Sequence, residues 1–312
     1  MRRKEFFNIV YGSLLFIGAF LTSCNNDEME EGNTSGSRVM TFDVSETFNE
    51  SSDGESRAFS EKSDTVYQKL DNGMEIEAVI ERDKAENSRA PQEVANGTKV
   101  LAIVINLSTN KIYKMYSLSV ANNKLSCIVP TGFNSKVVFY SYNSTTLMPT
   151  TTLEIGDDAG IYSKNNAEQK DKDVMWAETG TIYPSSTSLG TVVFKHLFAR
   201  TRVMMTRQSG YLNTFSISFA GNVGDEFANV NIIQGTRTTY YFPLETTTTL
   251  TNADMSAAYT KYSTFRTIIP KGAYPTMMNL NTINGYDLTG QSLKFDIALM
   301  SGCSYTIKIK VK

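Results

Sequence analysis

Cys24 is the residue with the most chemistry written into its surroundings. It ends the stretch Leu21-Thr22-Ser23-Cys24, behind an apolar run from Phe6 to Phe20 and a basic start of Arg2, Arg3 and Lys4. This is the layout of a bacterial lipoprotein signal, in which the chain is cut between Ser23 and Cys24 and the new N-terminal thiol carries the lipid. The apolar run is too short and too soon interrupted for a membrane span, which needs about 20 apolar residues. An ordinary secretory signal with an incidental cysteine is the weaker alternative. Residues 1–23 are therefore read as a signal peptide, and the mature chain is expected to begin at Cys24.

Other candidate chemistry is sparse. His196 is the single histidine, which excludes a multi-histidine metal site. It lies in Val192-Val193-Phe194-Lys195-His196-Leu197-Phe198, an apolar setting that suits a packed or capped core histidine better than a general base. Asp157-Asp158 and the pair Asp171 and Asp173 lack the alternating ligands of a calcium loop and read as solvated loop charge. Cys127 and Cys303 have no second cysteine at metal-ligand spacing and read as buried thiols acting as small hydrophobes, the alternative being one bridge between them, which an exported location permits. Trp176, the single tryptophan, and most of the 16 tyrosines and 17 phenylalanines read as core and cross-strand packing instead of a ligand platform. No catalytic residue, cofactor or metal is expected. The chain reads as one that binds or builds.

The elements that must carry these residues are strands. Without residues 1–23 the chain has 27 basic and 31 acidic residues, a net −4, which is no footprint for nucleic acid. Its remaining 289 residues are enough for two domains. No later stretch approaches about 18 consecutive apolar residues, so a soluble body held to the membrane by lipid alone is expected. Asn25 to about Asn96 is polar, with two patterned stretches. In Val39–Val44, residues Met40, Phe42 and Val44 point one way and Thr41, Asp43 and Ser45 the other, as in a half-buried strand. Met74–Ile80 follows the turn Asp71-Asn72-Gly73.

From Lys99 onward the pattern is β in character. Lys99–Asn106 is a continuous apolar run suited to a strand covered on both faces. Lys111–Val120, Leu125–Val129 and Lys136–Tyr142 follow, separated by turns such as Ser108-Thr109-Asn110 and Ala121-Asn122-Asn123. After a looser stretch, Asp157–Lys172, a second block comprises Thr191–Phe198, Arg202–Thr206, Phe215–Ala220, Val230–Ile233, Thr238–Pro243, Thr264–Pro270, Leu293–Leu299 and Tyr305–Val311. In the last of these, Tyr305, Ile307, Ile309 and Val311 are expected to face inward. Thr306, Lys308, Lys310 and Lys312 are expected to face water, a lysine row that discourages edge pairing. No long amphipathic helix is evident. Short strands at this spacing indicate a sandwich or barrel. The boundary is placed in Gly180–Ser188, which carries Pro184 and a Ser-Ser-Thr-Ser run. The expected division is a polar tether over 24–38, an N-terminal β-sandwich over 39–184 and a C-terminal β-sandwich over 185–312.

Several stretches, taken in order, resemble the fimbrillin-like lipoproteins. They are Ser88-Arg89-Ala90, Asn96-Gly97-Thr98-Lys99-Val100, Lys136 to Asn143, Asp173-Val174-Met175-Trp176-Ala177, Val193 to Arg200, Ile268-Ile269-Pro270 and Gly302 to Ile307. The resemblance covers nearly the whole chain. It implies an all-β fold of two tandem transthyretin-like β-sandwich domains after the signal peptide and polar leader. It also implies a role in type V pili: lipidated precursors reach the outer membrane, a protease cuts after an arginine, and the leader leaves with the first strand. A strand from a neighbouring subunit then fills the exposed groove by β-augmentation. The acidic block Asn25-Asn26-Asp27-Glu28-Met29-Glu30-Glu31 resembles a signal for export to the outer face.

On that resemblance Val39, Met40, Phe42 and Val44 belong to the removable first strand. Arg57 is the preferred cleavage position, Arg89 the second and Arg38 the third. Thr65, in Asp64-Thr65-Val66, resembles an O-glycosylation acceptor. Because recognisable strand material ends near Lys312, a tip or accessory subunit is expected in preference to a repeating stalk subunit. The expected partners are other pilus subunits, the outer membrane through the lipid, and a host or bacterial surface ligand. The alternative is a surface-exposed, lipid-anchored glycan-binding protein.

Overall fold

Period-two alternation of apolar and polar residues is answered by strands alone in the structure, a computed structural model. It describes residues 36–48, 63–71, 73–83, 92–159, 166–169, 172–187, 190–207, 214–220, 223–225, 227–239, 246–251, 260–263, 266–270 and 275–312. Among these residues there is no helix, and so none long and apolar enough to cross a membrane. The fold is all-β.

The first strands are β1 (Ser37–Thr47), β2 (Ser63–Lys69), β3 (Glu75–Arg82), β4 (Gln92–Glu93), β5 (Lys99–Asn106), β6 (Lys111–Ser119) and β7 (Lys124–Pro130). Next come β8 (Ser135–Ser141), β9 (Asn166–Gln169), β10 (Met175–Glu178), β11 (Val192–His196), β12 (Ala199–Arg207), β13 (Thr214–Phe219), β14 (Gly224–Asp225) and β15 (Phe227–Asn231). The rest are β16 (Thr236–Thr239), β17 (Thr246–Thr251), β18 (Thr260–Tyr262), β19 (Arg266–Pro270), β20 (Met277–Ile283), β21 (Tyr286–Lys294) and β22 (Ser304–Val311).

One sheet runs β4-β1-β11-β10-β8-β5-β6, with β7 joined to β1; a second runs β14-β19-β12-β22-β3-β2, with β18 joined to β12. A third runs β17-β13-β20-β21 and a fourth β16-β15-β9. Apolar side chains on alternate faces build three cores. Val100, Ala102 and Val104 of β5 pack with β7 and β1 residues in one core, while Leu101, Ile103 and Ile105 pack with Trp176, Val230 and Ile269 in another. Burial on both sides is what the continuous apolar run of β5 predicts. The third core joins Ile76, Ala78 and Ile80 of β3 and Ile307 and Ile309 of β22 to Phe215, Ile217, Met278 and Leu280 of the facing sheet.

Two sequence readings change here. Leu293–Leu299 is not one strand, because β21 ends at Lys294. Phe295, Ile297 and Leu299 are buried all the same, so the alternation reports which way side chains face and says nothing of ladder bonding. Their backbone is tied to Thr276, whose N–H and hydroxyl both donate to the Ile297 carbonyl, at 2.7 and 2.6 Å. Nor does the lysine row of β22 guard an edge. β22 is an interior strand, parallel to β12 and antiparallel to β3. Thr306 is buried, Lys308 pairs with Glu81, and Lys312 meets Glu77 at 2.8 Å. A period-two pattern cannot distinguish a solvent face from a face met by acids on the neighbouring strand.

Candidate functional site

The first strand changes partners midway. Ser37 to Asp43 pair antiparallel with Pro130 to Lys124 of β7. Val44 to Thr47 then pair parallel with Val192 to Lys195 of β11, while Ser45 and Glu46 meet Glu93 and Gln92 of β4. Strand geometry puts residues 40, 42, 44, 46 and 48 on one side. Met40, Phe42 and Val44 enter the core beside Leu125, Val129 and Phe194, and Phe42 lies edge-on to Phe139 at 5.2 Å between ring centres. Each such burial stabilises the strand by about 1.5–3 kcal/mol. Val39 points outward and is 68% exposed. Asp43 meets Lys124 at 3.3 Å, an exposed pair worth roughly 0–1 kcal/mol.

The chemistry of this face changes beyond Val44. Glu46 Oε2 lies 3.7 Å from His196 Nε2, and His196 Nδ1 lies 2.7 Å from Asp173 Oδ1. The Phe48 ring stacks on the imidazole with centres 3.4 Å apart, and the Arg200 guanidinium carbon lies 4.2 Å from the centre of that same ring. Burial pushes the Glu46 carboxyl above its ordinary pKa, against the pull of His196. Burial acts the same way on Asp173, but its contacts with His196 and Asn143 win and hold the carboxyl below its ordinary value.

Among the described residues, Arg38 Nε, Ser45 Oγ, Glu46 Oε2, His196 Nε2, Thr98 Oγ1 and Ser135 Oγ are buried without a hydrogen-bond partner. Three belong to β1, and His196 Nε2 faces it. Each such atom costs about 1–3 kcal/mol. The strand is thus held by its apolar half and poorly satisfied in its polar half.

His196 is buried, as the apolar setting predicts, at 3% exposure. Asp173 corrects the reading of solvated loop charge, since its carboxylate accepts from the Asn143 amide at 2.9 Å and bonds His196. Sequence reasoning also missed Glu46, Phe48 and Arg200 as members of this cluster. The available signal was that Glu46 and Phe48 continue the spacing of Met40, Phe42 and Val44. Asp157 and Asp158 serve turns, accepting from the Glu154 N–H and the Asn110 amide, both at 2.8 Å. Among the described residues no group of three acids, histidines or cysteines could hold a metal.

Arg38 is paired within β1, its guanidinium donating to the Pro184 and Tyr183 carbonyls at 2.8 and 2.9 Å. Thr65 is exposed on β2, the end strand of its sheet. Ser23, Cys24, Arg57, Asp171 and Arg89 lie outside the described residues. Cys127 and Cys303 are unpaired and buried in separate cores, and burial pushes the Cys127 thiol up to about 12. Trp176 is a core residue, its indole N–H donating to the Ile232 carbonyl at 2.6 Å.

No protein-family model matches the chain, and no curated protein matches it in sequence. Solved structures similar to it include a "putative cell adhesion protein" from Bacteroides ovatus, with 12% identity, a TM-score of 0.48, and coverage of 80% of this chain and 92% of that one. Another of the same description, from Bacteroides eggerthii, has 12% identity, a TM-score of 0.46, and coverage of 89% and 88%. The fimbrial anchor protein Mfa2 from Porphyromonas gingivalis has 8% identity, a TM-score of 0.38, and coverage of 68% and 79%.

Proposed function

We propose that this chain is a fimbrillin-like structural and adhesive subunit of a surface pilus, non-catalytic, and assembled by exchange of β1 for a strand of a neighbouring subunit. In this reading it is delivered to the outer membrane as a lipoprotein through Cys24. The observation that carries the reading is the state of β1. Its departure would leave β7 and β11 with unpaired backbone edges and an apolar floor shaped for alternate side chains, the two requirements of β-augmentation. The polar atoms that β1 leaves unsatisfied also make it replaceable. Arg57 is favoured over Arg89, whose cleavage would also take β2 and β3 from the sheet of β22, and over Arg38, which lies inside a paired strand.

A tip or accessory position fits the place of β22, which is bonded on both sides and is costly to release as a donor. In a reading of two tandem sandwich domains each has its own core, β2 and β3 are lent to the sheet of β22, β11 is lent to the sheet of β1, and a third core that joins Leu101 and Trp176 to Val230 and Ile269 is shared. Protein sheared from the cell surface is expected to begin at Ala58 or Ala90 and to form oligomers that resist sodium dodecyl sulfate. Assembled material that still begins at lipidated Cys24 would overturn strand exchange.

A further inference from the structure

The seat of β1 has two chemically different halves, and the second half carries information that apolar packing alone does not. Residues 40, 42 and 44 meet a core of aliphatic and phenylalanine side chains. Residues 46 and 48, on the same side of the strand, meet His196, Asp173 and Arg200. We propose that this seat selects an incoming strand of another polypeptide whose inward face reads apolar, apolar, apolar, acidic, aromatic. The acid is read by His196 Nε2 and the aromatic ring by the imidazole and guanidinium beside it. The inference rests on the strand-exchange reading above and adds which strand is admitted.

Three observations support it. His196 is anchored from behind by Asp173 at 2.7 Å, so its orientation belongs to the seat and survives the loss of β1. Its Nε2 is buried without a hydrogen-bond partner while β1 is present, and Glu46 stops 3.7 Å short of it. A strand that brings its carboxyl group within about 3 Å of Nε2, with one proton held between the two, makes the hydrogen bond that β1 forgoes. Arg200 adds positive charge on this side, so lysine or arginine at the position of Glu46 meets repulsion from Arg200. Such a rule excludes wrong strands as much as it favours the right one.

The test uses the full chain carrying Phe42→Ala in its own β1, with folding checked by circular dichroism. Fluorescent peptides of residues 37–48 are added, and uptake is read by anisotropy. The wild-type peptide and a Val39→Lys peptide, altered on the outward face, are expected to bind alike. Phe48→Ala and Glu46→Lys peptides are expected to bind at least about tenfold more weakly, the first by losing its ring contact and the second by bringing positive charge against Arg200. If the Phe42→Ala chain does not fold, the wild-type chain in mild urea serves as host with the same four peptides. Equal uptake of all four overturns the acidic–aromatic rule and leaves strand exchange standing. Uptake of none, with β1 amides as protected from hydrogen exchange as those of β5, overturns both.

Discussion

Asp173 and His196 form a pair whose meaning depends on what surrounds them. An aspartate beside other loop acids reads as solvated, and a histidine in an apolar run reads as core; only their 2.7 Å contact makes each the reason for the other. The sign of the pH effect follows. The folded carboxyl is held below its unfolded value of about 3.9, so its stabilisation is present above that pH and drains away as pH falls through the folded value. Asp173→Asn is expected to cost about 2 kcal/mol at pH 7. Urea midpoints should then fall less steeply below about pH 4 in the variant than in the wild type. Gly235 offers a second residue-scale test. Its φ is +61°, and a Cβ there would lie 2.2 Å from Trp176 Cδ2. Gly290, at φ +94°, has open space around the same position. Gly290→Ala should cost only backbone strain, about 1 kcal/mol. Gly235→Ala should cost about 2–4 kcal/mol, because the indole cannot yield without losing its bond to Ile232. Chemical denaturation of the two variants separates close approach from strain.

At the scale of elements, the sequence is legible where the local rule is strong. β5, β7, β8, β13 and β22 lie within a residue or so of their sequence-read spans, because alternation and turn residues speak for the same ends. The hairpin of β20 and β21 escaped that reading although it carries a strong two-residue turn signal, Asn284-Gly285, at φ 52° and 81°. Its flanks contain Asn279, Asn281, Thr282, Thr289 and Gln291, which dilute the apolar pattern. Gly285→Val is expected to destabilise by about 1–2 kcal/mol, since a β-branched residue pays heavily at positive φ. In amide exchange, β20 and β21 should lose protection before β5 does. β2 and β10 were missed for another reason. β2 alternates only between exposed and half-buried, and β10 is four residues long, so neither shows a periodic signal strong enough to stand alone.

Over the whole molecule, the contacts that join distant chain segments are polar as well as apolar. Glu168 on β9 accepts from the hydroxyls of Tyr140 and Tyr142 at 2.9 and 2.7 Å and pairs with Lys172 at 3.1 Å. β9 is itself bonded to β15, so this one carboxylate ties the β15 segment to the sheet of β8. Glu168→Ala should cost about 3–5 kcal/mol by leaving two tyrosine hydroxyls and an ammonium without their acceptor. Thermal unfolding should register it as a lowered midpoint, whereas Tyr142→Phe should cost only about 1 kcal/mol. The all-β class, the strands of strongest alternation, the burial of β5 on both faces and the inward row Met40, Phe42 and Val44 are written in the order of side chains. Those follow from side-chain order along a single strand, which is a local property. That β1 joins β7 to β11, that β22 lies inside its sheet, and that Glu46, Phe48, Asp173, His196 and Arg200 meet are settled by the pairing of strands in space. Such meetings depend on which strands lie side by side, and pairing between distant segments leaves no period in the chain.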